Sequence, residues 1–104
     1  MEHLKQMIDE AWENRSLLRE EIVQQTIREV IHLLDLGKLR VAEPTADGWK
    51  VNEWVKKAVV LYFPIQNMKP VEVGIFEFHD KIPLKHNYDE KGVRVVPPAV
   101  ARRG

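Results

Sequence analysis

The sequence predicts a small, mainly helical α+β domain with about three helices, a β-hairpin and short extended segments. All of it falls within one unit spanning residues 1–104. Three observations carry that prediction. Apolar residues recur at helical spacing in two early stretches. Two alternating segments then flank a turn that ends in Asp-Gly. A third apolar-rich stretch comes after an Asn and runs into a Pro.

Leu4, Met7, Ile8, Ala11 and Trp12 form the stripe of a short first helix. Asn14 to Ser16 breaks it, and Ser16 stands where a hydroxyl can cap the second helix. That second helix is the clearest element. Ile22, Val23, Thr26, Ile27, Val30, Ile31 and Leu34 share one face, with Glu20, Glu21, Gln24, Arg28 and Glu29 opposite. Gly37 can end it with a positive φ. Leu39–Glu43 and Trp49–Val51 alternate on either side of Pro44–Gly48, predicting a hairpin with a five-residue loop. Asn52 is placed to cap a third helix carrying Trp54, Val55, Ala58, Val59, Leu61 and Tyr62, buried along most of its second half, and Pro64 should stop it. Beyond it, Val71 to Phe78 predicts extended chain around Gly74, with room for a short strand. Asp80 to Tyr88 reads as irregular. Val93–Val96 is a last extended segment that Pro97-Pro98 keeps from being a central strand. The tail Ala99–Gly104 has no evident capping element, which is expected of a chain that continues.

Composition narrows the function. Sixteen basic and sixteen acidic residues cancel, which argues against a general nucleic-acid binder. Without cysteine there is no disulfide, thiolate nucleophile or thiolate metal site, and a reducing compartment fits. The polar start is no signal peptide, and the longest apolar run, Ala58–Phe63, is too short to cross a bilayer. The expectation is a cytoplasmic protein with no membrane partner.

Few residues offer chemistry. His3, His32, His79 and His86 include no pair at i, i+4 spacing, so His79 beside Asp80 reads as structural or surface rather than metal-binding. Ser16, the only serine, lies outside any nucleophile motif. The carboxylate pairs Asp9-Glu10, Glu20-Glu21 and Asp89-Glu90 read as solvated charges. Lys56 and Lys57 could meet an anion, but an exposed helix face accounts for them more simply. The roles of Lys56, Lys57, Asp80 and Lys81 stay open at this level.

Arg94 differs, because it sits among Val93, Val95 and Val96. A permanent charge among apolar neighbours needs water or an anion, and its planar fork matches a carboxylate. Period-2 alternation puts Arg94 and Val96 on one face, with Val93 and Val95 on the other. From the residues alone, a surface arginine on an edge strand fits equally well.

Four stretches in order, Leu39–Glu43 (LRVAE), Asn52–Val60 (NEWVKKAVV), Phe78–Lys85 (FHDKIPLK) and Gly92–Ala99 (GVRVVPPA), closely resemble the opening domain of tetrahydrodipicolinate N-succinyltransferases. The resemblance covers nearly the whole chain; Met1–Lys38 matches mostly in helical character. It implies an enzyme of lysine and diaminopimelate synthesis that moves a succinyl group from succinyl-CoA to the amine of ring-opened tetrahydrodipicolinate. It implies a homotrimer whose sites lie between subunits and are built largely by a left-handed β-helix. No hexapeptide repeat of such a helix occurs here, so the resemblance puts the catalytic acid groups and the CoA surface beyond Gly104. It matches the family's substrate-binding arginine to Arg94. The expectations are therefore a dicarboxylate partner, self-association, no cofactor bound by this domain, and no activity for the isolated chain. The alternative is a non-enzymatic protein-interaction module.

Overall fold

In the computed structural model, which describes residues 1–104, three helices enclose the core and two separate hairpins flank them. The first helix, α1 (Glu2–Glu13), turns apolar residues inward at helical spacing, and Ile8 and Ala11 are fully buried. Asn14 ends it in an extended conformation and begins a 3₁₀ turn, Arg15–Arg19. The cap of that turn is Asn14 rather than Ser16. Its Oδ1 accepts from the Ser16 backbone N–H at 3.2 Å and from Ser16 Oγ at 2.6 Å. Asn14→Ala should cost about 1 kcal/mol, read as a lowered urea midpoint with an unchanged slope.

The long helix α2 (Glu21–Asp35) buries Val23, Thr26, Ile27, Val30, Ile31 and Asp35. Thr26, the one hydroxyl on that face, donates to the Ile22 carbonyl one turn back at 2.9 Å. The helix closes as expected at Gly37, whose φ is +76°. Lys38 N–H donates to Leu33 O and Gly37 N–H to Leu34 O, which together satisfy the last carbonyls by a Schellman pattern.

The first hairpin, β1 (Ala42–Thr45) and β2 (Gly48–Val51), pairs Thr45 with Gly48. Its loop is therefore two residues, Ala46-Asp47, rather than five. Pro44 pairs with Trp49 inside the ladder, which a two-stranded edge tolerates. The left-handed residue is Gly48, at φ +110°. Asn52 starts α3 (Glu53–Ile65) but does not cap it through its side chain. Its amide instead donates to Arg40 O at 2.8 Å and its N–H to Val41 O at 2.7 Å, locking the helix start to the hairpin.

Only one side of α3 is covered. Val55, Ala58, Leu61 and Tyr62 are buried, while Val60 and Phe63 face outward. Pro64 lies inside the helix, not beyond it. The carbonyl it deprives belongs to Val60, on the exposed side, so the missing bond is cheap at that point. Arg28 of α2 donates to Ile65 O at 3.3 Å and to Gln66 Oε1, closing the helix end. The core comprises the buried faces of the three helices, with Ile82 added from below.

The chain around Gly74 is a second full hairpin, β3 (Lys69–Val73) and β4 (Phe76–Asp80). Gly74 takes φ +59° at the first position of the two-residue turn Gly74-Ile75, the backbone that tight hairpins demand. Val71 pairs with Phe78 and Val73 with Phe76, so one face of this sheet is apolar. Most of that face is open to solvent. Val93–Val96 forms no strand. Nor is the tail loose: Ala101–Arg103 runs antiparallel to Pro83–Lys85 through an isolated Leu84–Arg102 bridge, with Lys85 N–H on Ala101 O and Arg103 N–H on Pro83 O.

Candidate functional site

Those two short runs form the base of an arch, residues 86–100, that carries Arg94. The arch rises through Asn87 (φ +58°) and a tight turn in which Lys91 N–H donates to Asn87 O and Val93 N–H to Tyr88 O at 2.8 Å. Gly92, at φ +69°, reverses the chain into Val93–Val96. Val93 and Val95 are half-buried, whereas Arg94 and Val96 are exposed, so the alternation read from the sequence holds even without a strand. No carboxylate of the chain pairs with Arg94; the five ion pairs all involve other residues. Its guanidinium fork is thus unengaged.

The other charges named from the sequence lie elsewhere. Asp80 accepts both arms of Arg102, Nε and Nη2 each at 2.8 Å. Backbone N–H donation from Lys81, then Arg102, holds its carboxyl below the ordinary range. It is occupied as a structural anion. Arg102 also lies over the Phe63 ring, 5.4 Å from its centre. Lys81 contributes its carbonyl to Gln66 Nε2. Lys57 leans toward α1, its Nζ 3.5 Å from Asp9 Oδ1 and 5.7 Å from the centre of the Trp12 ring, and Lys56 is exposed. None of these joins Arg94. His79 and Asp80 point to opposite faces of β4, and no three potential ligands gather as a metal site would require.

A cluster that sequence reasoning missed lies beneath the arch. Asp35, the last residue of α2, is 5% exposed. Its Oδ1 accepts from Lys85 Nζ at 2.5 Å and from the Gly104 backbone N–H at 3.0 Å. Its Oδ2 accepts from Lys91 Nζ. Lys85 Nζ also donates to the Asp35 and Gly104 carbonyls at 3.1 and 3.0 Å, placing a cation at the negative end of α2. Burial pushes the Asp35 carboxyl up, but the Gly104 N–H and the two ammonium groups outweigh it, leaving the group well below the usual carboxylate range. A signal was available: Asp35 is four residues past Ile31 and eight past Ile27, on the buried stripe, where a charge needs partners.

No enclosed chamber adjoins Arg94. The largest hollow, about 1010 Å³, runs along the outer side of α1 past Glu2, Lys5, Asp9 and Glu13, and Arg94 does not line it. A smaller one, about 230 Å³, lies among Ile31, Leu34, Tyr62, Phe63 and the Arg102–Gly104 tail. A lone exposed guanidinium can hold one carboxylate. It cannot by itself exclude water or bring two reactants together.

Residues 3–65 match a family model described as tetrahydrodipicolinate N-succinyltransferase N-terminal. Among similar proteins is the 2,3,4,5-tetrahydropyridine-2,6-dicarboxylate N-succinyltransferase of Cupriavidus metallidurans. It is 46% identical over 97% of this chain and 41% of its own length. The enzymes of that name from Bordetella petrii and Coxiella burnetii are 44% and 41% identical, covering 97% and 100% of this chain. The chain spans about two fifths of the length of these relatives.

Proposed function

This chain belongs to the tetrahydrodipicolinate N-succinyltransferase N-terminal family, and from that membership we propose that it acts as the opening domain of a cytoplasmic, homotrimeric acyltransferase in lysine and diaminopimelate synthesis. In the reaction, the amine of ring-opened tetrahydrodipicolinate forms an amide with the succinyl carbonyl of succinyl-CoA. The carbon–sulfur bond breaks, and CoA leaves as the amine gives up a proton. The part played by this domain is to bind the acceptor, not the donor. Arg94 grips one carboxylate of the dicarboxylate through its planar fork. The observation that carries this reading is an unengaged guanidinium held outward on a well-tied arch while its valine neighbours turn inward. Energy that would otherwise go into ordering the arch remains available for ligand.

The absence of an enclosing wall around Arg94 supports a site completed by further polypeptide. The exposed apolar face of Val71, Val73 and Phe76 supports contact with such polypeptide, and it also favours a pure interaction module as the second reading. CoA release separates the two. A complete polypeptide opening with this domain should release CoA from succinyl-CoA only when tetrahydrodipicolinate is present, and the 104-residue chain should release essentially none. Failure of the complete polypeptide to do so would leave the interaction module standing. Robust release by the short chain would sink the division of labour.

A further inference from the structure

We propose that Asp35 is a positioning residue for Arg94: one buried carboxylate ties the entry, the middle and the exit of the arch to the end of α2. This inference rests on Arg94 being the acceptor-binding group. Three contacts carry it. Lys85, at the foot where the chain enters the arch, donates to Oδ1. Lys91, three residues before Arg94 and at the turn that aims it, donates to Oδ2. Gly104, just past the returning foot, donates its backbone N–H to Oδ1. The three donors, spread over residues 85 to 104, all meet at this carboxylate, around which no buried side-chain polar atom is left unsatisfied.

Beyond the half-burial of Tyr88, Val93 and Val95, the arch has few other ties. Apart from the bridge at its feet, its own bonds are the turn closures around Asn87–Val93 and a single Ala99 N–H to Val96 O bond. Those fix its local shape and not its attitude to the helices. Lys91 is the only arch side chain that makes a hydrogen bond to a helix. Removing the Asp35 charge releases Lys91 to water and lets the Arg94 segment swing as a hinged flap while the helical core stays packed.

The test is backbone ¹⁵N relaxation of residues 92–96 in the 104-residue chain and in its Asp35→Asn and Lys91→Met variants, at a pH and temperature where each is folded. Order parameters should be about 0.85 in the unaltered chain and fall below about 0.6 in Asp35→Asn. Lys91→Met should fall too, and it carries the test if Asp35→Asn does not fold. Ile31 and Leu61 in the core should not change. An unchanged arch overturns the proposal, and so does an equal loss in the core, which would mark Asp35 as merely structural. In the complete polypeptide, pimelate, a seven-carbon dicarboxylate, should bind at least about tenfold more weakly to Asp35→Asn. The Asp35→Asn/Arg94→Ala double variant should lose no more than Arg94→Ala alone, because Asp35 acts through Arg94. Equal pimelate affinity with and without the Asp35 charge overturns the proposal. Pimelate binding indifferent to Arg94→Ala refutes the acceptor-site reading instead, and the order parameters still judge the clamp.

Discussion

Asp35→Asn should destabilise the chain by about 3 kcal/mol and lower its melting temperature by roughly 10–20 °C. The substitution keeps the shape and removes the charge, leaving two ammonium groups against a neutral amide. Breaking a buried pair by deleting one partner costs about 3–5 kcal/mol, and the lower end applies because Lys91 can rotate toward water. Its side chain is already 15% exposed, against 9% for Lys85. In a domain whose whole stability is about 5–15 kcal/mol, such a loss is visible in a single urea titration. The pH dependence gives a sharper signature. The folded carboxyl sits below its ordinary value of 3.8, so its contribution is complete above about pH 4 and is lost as pH falls through the folded value. Unfolding titrations from pH 7 down to pH 2 should show stability falling with acid, by up to about 1.4 kcal/mol per pH unit from this group alone. Asp35→Asn should lack that part of the slope. Asp9 and Asp80 are also held low, Asp9 chiefly by Lys5 and Asp80 chiefly by the Lys81 backbone N–H, and Asp35→Asn leaves both in place. The difference between the two titrations therefore isolates Asp35. An Asn variant with the unaltered chain's acid slope would refute the assignment.

The helical part of the fold was legible because it obeys local rules. The stripe from Ile22 to Leu34 and the glycine after it specify α2 and its end without reference to anything distant. The hairpins are harder, since period-2 alternation marks strands but not their pairing. Pro44 reads as turn because proline usually punctuates. In a two-stranded sheet it costs nothing on the unpaired edge, and the turn contracts to Ala46-Asp47. Around Gly74 the alternation is visible, yet closing the hairpin depends on a glycine backbone that sequence allows and does not require. Asn52 reads as a cap from its type, but Arg40 O, brought near by the hairpin, offers its amide another partner. The Asp35 cluster assembles residues up to 69 positions apart, which no periodicity encodes. Only the misplaced charge on an apolar stripe points to it. Arg94 is the reverse case. Its exposure and the facing of its neighbours follow from alternation, whereas its proposed ligand comes from the wording of the GVRVVPPA stretch and not from any physical pattern.

Arg94→Ala in the complete polypeptide should lower kcat/KM for the dicarboxylate acceptor by about 2–5 kcal/mol of transition-state stabilisation, from roughly thirtyfold to a few thousandfold. The figure presumes that ligand and further polypeptide bury the guanidinium, since an exposed pair would be worth only about 0–1 kcal/mol. The size of the loss thus reports whether the site closes over Arg94. Most of it should appear in the acceptor KM, because a carboxylate remote from the reacting amine is held alike in ground and transition states. The KM for succinyl-CoA should stay the same, as nothing here assigns Arg94 to the donor. Arg94→Lys should fall between, keeping the charge and losing the two-pronged geometry. Stability provides the control. Arg94 is exposed and makes no ion pair or side-chain hydrogen bond within the chain, so neither substitution should move the melting temperature appreciably. A catalytic loss with unaltered melting would tie the residue to ligand rather than to folding. An acceptor KM that survives Arg94→Ala would leave the arch without a substrate role, however firmly Asp35 holds it.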